Sequence, residues 1–68
     1  METETKTYAY GDYAIVLSRE NGVIYYSVYK DSEPVASGFV PTNESFYQFM
    51  QGIKLDIETG TLVGVGNG

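Results

Sequence analysis

Tyr13-Ala14-Ile15-Val16-Leu17-Ser18-Arg19-Glu20-Asn21-Gly22-Val23-Ile24-Tyr25-Tyr26-Ser27-Val28-Tyr29-Lys30 is the stretch that decides the fold. Two runs rich in β-branched and aromatic residues flank Asn21-Gly22, the dipeptide that best tolerates the positive φ needed at both centres of a type I′ turn. A hairpin follows. Its turn pairs Glu20 with Val23, and therefore Leu17 with Tyr26 and Ile15 with Val28.

Toward the C-terminus, Asp31-Ser32-Glu33-Pro34 turns the chain again, and Val35-Ala36-Ser37-Gly38-Phe39-Val40 reads as a third strand. Connections this short require antiparallel neighbours. With Asp31 opposite Pro34, Val28 faces Ser37 and Tyr26 faces Phe39. One face then collects Ile15, Leu17, Ile24, Tyr26, Val28, Val35 and Phe39, a continuous apolar surface. The other collects Ala14, Val16, Tyr25, Ser27, Tyr29, Ala36, Gly38 and Val40.

Pro41 ends the third strand, Thr42 or Asn43 can cap a helix, and Glu44 suits the positive end of its dipole. Phe46, Phe49, Met50 and Ile53 recur at i, i+3, i+4 and i+7, one apolar stripe that the Ile15, Tyr26 and Phe39 face would cover. Gly52 costs about 1 kcal/mol relative to alanine, so the helix is expected to end or bend there. The fold class is α+β: a three-stranded antiparallel β-meander with one α-helix packed on one face.

The flanks are less informative. Thr7-Tyr8-Ala9-Tyr10 looks extended and is broken by Gly11-Asp12, while residues 1–6 and 66–68 read as disordered ends of a single domain spanning 1–68. Leu55-Asp56-Ile57-Glu58 fits either a continued helix or an extended tail. Thr61-Leu62-Val63-Gly64-Val65 can add a short C-terminal edge strand.

Composition limits the chemistry. A chain of 68 residues buries only about 60% of its unfolded surface. Without cysteine or histidine it also lacks disulfides and the usual metal staples, so a protein surface is the remaining source of extra stability. The usual general base and thiolate nucleophile are missing too, and no serine lies in a nucleophile-elbow pattern, so the chain is read as non-enzymatic and free of cofactors. Asp31-Ser32-Glu33 and Asp56-Ile57-Glu58 each space two carboxylates as a hard cation would accept, but neither reaches the ligand count of a calcium loop. The C-terminal glycines lack the lysine and following helix of a phosphate loop.

The absence of cysteine fits a reducing compartment, and the N-terminal residues lack a secretory pattern, which points to the cytoplasm. No apolar run approaches the roughly 20 residues that span a bilayer. A formal net charge of −5 repels phosphate backbones and anionic lipid, and attracts a basic protein surface. The same charge also serves solubility.

Seven tyrosines are the most pointed feature, because tyrosine combines apolar area, a polar tip and low ordering cost. Tyr25 and Tyr29 lie on the sheet face away from the expected helix. Either Tyr8, Tyr10 and the C-terminal strand fold over them, or their cross-strand packing merely stabilises the sheet, or they await a partner. With Glu20, Asp31 and Glu33 at hairpin ends, and Glu44, Asp56 and Glu58 on the helix side, they make up the candidate partner-binding set.

In size, charge and lack of catalytic residues the chain resembles compact acidic inhibitors of phages and mobile elements, including anti-CRISPR and anti-restriction proteins. No motif carries that resemblance. It implies carboxylates that imitate nucleic-acid phosphates and dock on the basic groove of a nucleic-acid-processing protein. The alternative is a homodimer that closes the second sheet face against its twin. A third reading, a tyrosine platform for single-stranded bases, is opposed by the net charge.

Overall fold

The computed structural model describes residues 3–60. It contains β1 (Glu4–Tyr10), β2 (Tyr13–Glu20), β3 (Val23–Lys30), β4 (Glu33–Pro41) and α1 (Phe46–Thr59). The strands form one antiparallel meander in the order β1-β2-β3-β4. The class is α+β, with four strands where the sequence reading had three.

The added strand comes from the N-terminus. β1 starts at Glu4, inside the segment expected to fray, and pairs with β2 from Glu4↔Arg19 to Tyr10↔Tyr13 across the Gly11-Asp12 turn. The edge strand expected over 61–65, and the tail 66–68, lie outside the described residues.

The central hairpin has the expected register, Glu20↔Val23, Leu17↔Tyr26 and Ile15↔Val28. Asn21 and Gly22 take φ of 55° and 76°, the positive pair a type I′ turn demands. The next hairpin departs from expectation. Its turn is confined to Asp31-Ser32, at φ 53° and 70°, so Lys30 pairs with Glu33. A bulge at Val35 of β4, opposite the Val28–Tyr29 step of β3, then takes up the extra residue.

The resulting partners are Val28↔Ala36, Tyr26↔Gly38 and Tyr25↔Phe39. Side chains alternate faces along a strand, so this one-residue difference moves Phe39 out of the expected core and brings Ala36, Gly38 and Val40 in. Ala36 is 1% exposed and Phe39 67%.

The core is Ile15, Leu17, Ile24 and Val28 from the inner strands, Ala36 from β4 and Ile53 from α1. Phe46, Phe49, Met50 and Ile57 extend the helix stripe over it, with Tyr8, Tyr10, Tyr13 and Tyr26 around its margin. Tyr8 and Tyr10 therefore pack on the helix side, so neither lies over Tyr25 or Tyr29.

Gly38 is required by packing. Its cross-strand partner Tyr26 lies so close that a Cβ at position 38 would sit 2.7 Å from the Tyr26 hydroxyl oxygen and 2.9 Å from the ring carbon bearing it. Tyr26 in turn meets Phe49 at 5.7 Å between ring centroids. Gly38→Val is expected to displace this ring and destabilise the domain by about 2 kcal/mol, the usual scale of overpacking, as read from the urea midpoint.

The helix begins later than expected. Ser45 is the N-cap: its hydroxyl accepts from the Gln48 N–H, and the Gln48 side chain accepts from the Ser45 N–H, a capping box. Glu44 therefore precedes the helix instead of occupying its first turn. The helix does not end at Gly52 but continues to Thr59, with Leu55–Glu58 helical, and stops at Gly60 with φ 75°.

Candidate functional site

The register sorts the strand residues onto two unlike faces. Under the helix, the cross-strand rows are Glu4–Arg19–Ile24–Val40, Lys6–Leu17–Tyr26–Gly38, Tyr8–Ile15–Val28–Ala36 and Tyr10–Tyr13–Lys30–Glu33. On the open side they are Glu20–Val23–Pro41 at one end, then Thr5–Ser18–Tyr25–Phe39, Thr7–Val16–Ser27–Ser37 and Ala9–Ala14–Tyr29–Pro34. Apart from Glu20 at the end of β2, every charged strand residue stands on the helix side. The other open rows hold only hydroxyl, aliphatic, proline and aromatic side chains.

That distribution inverts the ordinary one, in which an antiparallel sheet packs one apolar face and presents charge to water on the other. Tyr25 and Phe39 face each other at 5.9 Å between centroids, 45% and 67% exposed, while Tyr29 is half-buried in the neighbouring row. At ~4.8 Å between strands and ~3.3 Å per residue, the face covers roughly 400 Å².

Both sheet edges are poor templates for strand addition. β4 carries Pro34, Pro41 and the bulge, and β1 carries Glu4 and Lys6. An interaction through this sheet therefore belongs to its face.

The chain's four basic residues all pack over aromatic rings: Lys6 on Tyr8 at 5.6 Å, Arg19 on Phe46 at 5.3 Å, Lys30 on Tyr13 at 5.6 Å and Lys54 on Tyr10 at 5.0 Å. Arg19 also donates to the Glu44 carbonyl oxygen, tying β2 to the approach to the helix. The cations thus cover core margins, and carboxylates dominate the outward field.

The structure divides the candidate carboxylates between the two ends of the sheet. Asp31 and Glu33 share one end with Asp56 and Glu58, because Glu58 accepts a hydrogen bond from the Tyr10 hydroxyl and the Asp31 N–H donates to the Asp12 carbonyl oxygen. Asp56, Ile57 and Gly60 line a hollow there with Tyr13 and Val35. Glu20 and Glu44 stand at the other end, where the Thr42 N–H donates to the Gly22 carbonyl oxygen. The carboxylates do not form a single row.

The helix has no basic residue in its last turn, and Asp56 and Glu58 sit near its negative pole, an arrangement that costs stability. Hydrogen bonding to Glu58 raises the Tyr10 hydroxyl above its usual pKa, with smaller contributions from desolvation and from the Glu58 charge. Sequence reasoning missed Asp12 at the acidic end and Phe39 on the open face; the signal for Phe39 was Pro34, which marks an irregular edge strand.

Among the described residues, no group of three or more His, Cys, Asp or Glu could hold a metal ion, and no helix is long and apolar enough to cross a membrane. Comparison of the chain with protein-family models, curated proteins and solved structures returned no match.

Proposed function

We propose that this chain is a non-enzymatic protein-binding module that docks through the open face of its sheet, with Tyr25, Tyr29 and Phe39 as anchors and its carboxylates steering it onto a basic partner. One observation supports the reading: the open face's only charged strand residue is Glu20, at its end, while the sheet's Lys and Arg and its other two Glu side chains, Glu4 and Glu33, are on the packed side. Uncharged β-branched, hydroxyl and aromatic residues also favour strand formation. Their lack of charge lowers the desolvation cost of covering that surface.

The finer form of the proposal is an inhibitor that occupies the nucleic-acid-binding surface of its target, with Asp31, Glu33, Asp56 and Glu58 in the place of phosphates and Glu20 and Glu44 at the far end. Binding to a captured target should then weaken about tenfold or more as salt rises from low to physiological strength, and should compete with the target's DNA or RNA. Salt-insensitive binding that leaves nucleic-acid loading intact would contradict the inhibitor reading and leave a plain protein-binding module.

Self-association is a second reading, favoured by the same uncharged rows, since two copies could meet face to face without opposing like charges. Sedimentation equilibrium from micromolar to millimolar concentration decides it. A dimer lost in the Tyr25→Thr/Phe39→Lys variant supports this reading, and a monomer throughout removes it.

A further inference from the structure

Asn21-Gly22 sets the central register, and it is also the dipeptide most prone to deamidate, because glycine puts no side chain around the amide nitrogen that attacks the preceding asparagine. Both residues are exposed, so water reaches them. The other Asn-Gly pair, Asn67-Gly68, lies outside the described residues, and Asn43 is followed by the bulkier Glu44.

The reaction needs no catalyst and only water as co-reactant. The Gly22 amide nitrogen attacks the side-chain amide carbon of Asn21, a new C–N bond closes a cyclic imide, and the side-chain nitrogen leaves as ammonia with the Gly22 amide proton. Water then cleaves one of the imide C–N bonds. Cleavage on one side leaves aspartate at position 21. Cleavage on the other leaves isoaspartate, whose main chain runs through the side-chain carbon and is longer by one methylene.

The folded turn blocks the first step. Ring closure requires the Gly22 nitrogen to eclipse the Asn21 Cβ about the Cα–C bond. Asn21 and Gly22 have φ of 55° and 76°, the type I′ pair. In that turn the first centre has ψ of about +30°, which holds the nitrogen about 150° away from eclipse. Neighbours fix this geometry: Glu20 pairs with Val23 across the turn, and the Thr42 N–H donates to the Gly22 carbonyl oxygen at 3.1 Å. Opening of the hairpin is needed to bring the nitrogen round, and in a marginally stable domain such openings recur.

We propose that Asn21-Gly22 is a modification site gated by folding, inert while the hairpin is closed and converted during its openings. The two products differ in consequence. Aspartate tolerates the left-handed turn and restores it, with one more negative charge beside Glu20. The extra methylene of isoaspartate does not fit a two-residue turn between Glu20 and Val23, so a chain that acquires it leaves the native population for good. The site rests on the turn alone and is independent of the open-face reading.

The test incubates the full chain at mildly alkaline pH as the native protein, as Leu17→Ala and unfolded in urea, and follows residues 20–23 by peptide mass mapping and isoaspartate methyltransferase labelling. The native protein should lose Asn21 at least about tenfold more slowly than the unfolded chain, and Leu17→Ala should lose it at least about tenfold faster than the native protein, since conversion follows the population of open hairpin. Asn43 should stay intact throughout. In urea, Gly22→Ala should slow the conversion severalfold. After urea is removed, the isoaspartate form should fail to recover the native circular dichroism that Asn21→Asp recovers.

Equal rates in the native and unfolded chains, a Leu17→Ala rate no faster than the native one, or conversion of Asn43 at the pace of Asn21 would overturn the gating. Indifference to Gly22→Ala would overturn the chemistry. An isoaspartate chain that refolds, or an Asn21→Asp variant that does not fold, would overturn the consequence drawn from the two products.

Discussion

Leu17→Ala is expected to bring this domain to the edge of unfolding, with the urea midpoint falling by half or more. Leu17 is fully buried on β2, between Lys6 of β1 and Tyr26 of β3 and beneath the helix layer. Truncating a buried leucine costs about 3 kcal/mol, the sum of lost transfer energy and the cavity left behind. Stability of ~0.05 to 0.15 kcal/mol per residue gives a 68-residue chain only about 3 to 10 kcal/mol in total. Val16→Ala, one residue earlier on the open face, is the matched control and should cost about 1 kcal/mol or less. Equal losses at 16 and 17 would mean that both faces are packed, contrary to the register described above.

Tyr25→Thr combined with Phe39→Lys is expected to leave the fold standing and to weaken partner binding at least about a hundredfold, as measured by calorimetric titration. The two rings meet across β3 and β4 and are 45% and 67% exposed, so the folding cost is expected to be about 1 kcal/mol. At an interface the same rings would be desolvated anchors, each worth about 2 kcal/mol or more. Lysine in place of Phe39 adds a buried charge and repels a basic partner. Unchanged affinity in a folded double variant would exclude the open face as the docking surface.

Much of the fold was legible because a few residues left the backbone little choice. Asn21-Gly22 determined the central register, and with it Ile15, Leu17, Ile24 and Val28 as core. The helix stripe Phe46, Phe49, Met50 and Ile53 was equally plain, and Ser45-Phe46-Tyr47-Gln48 carried a capping-box signature that places the helix start better than Thr42 or Asn43. Asp31-Ser32 was harder. Two non-glycine residues at positive φ are not what a two-residue turn normally advertises, and the compensating bulge at Val35 has no marker beyond Pro34.

The candidate site inherited that difficulty. Tyr25 was placed correctly from the central hairpin, whereas Phe39 depended on the β3–β4 register and fell on the wrong face. β1 was obscured for a related reason: Glu4 and Lys6 look like a solvated terminus. Their alternation with Thr5 and Thr7 makes sense only once β2 supplies a neighbour.

Photo-crosslinking from position 39 tests the central claim most directly. A benzophenone amino acid replaces Phe39 in one version of the chain and Tyr47 in another, two aromatic sites of similar exposure, 67% and 60%, the first on the open face and the second on the helix. Irradiated in the native host, the position 39 version should give a discrete crosslinked species, either a basic partner or a second copy, that position 47 does not give. The same diffuse pattern from both positions, or no adduct from position 39, would contradict the claim that the uncharged face of this sheet is a docking surface.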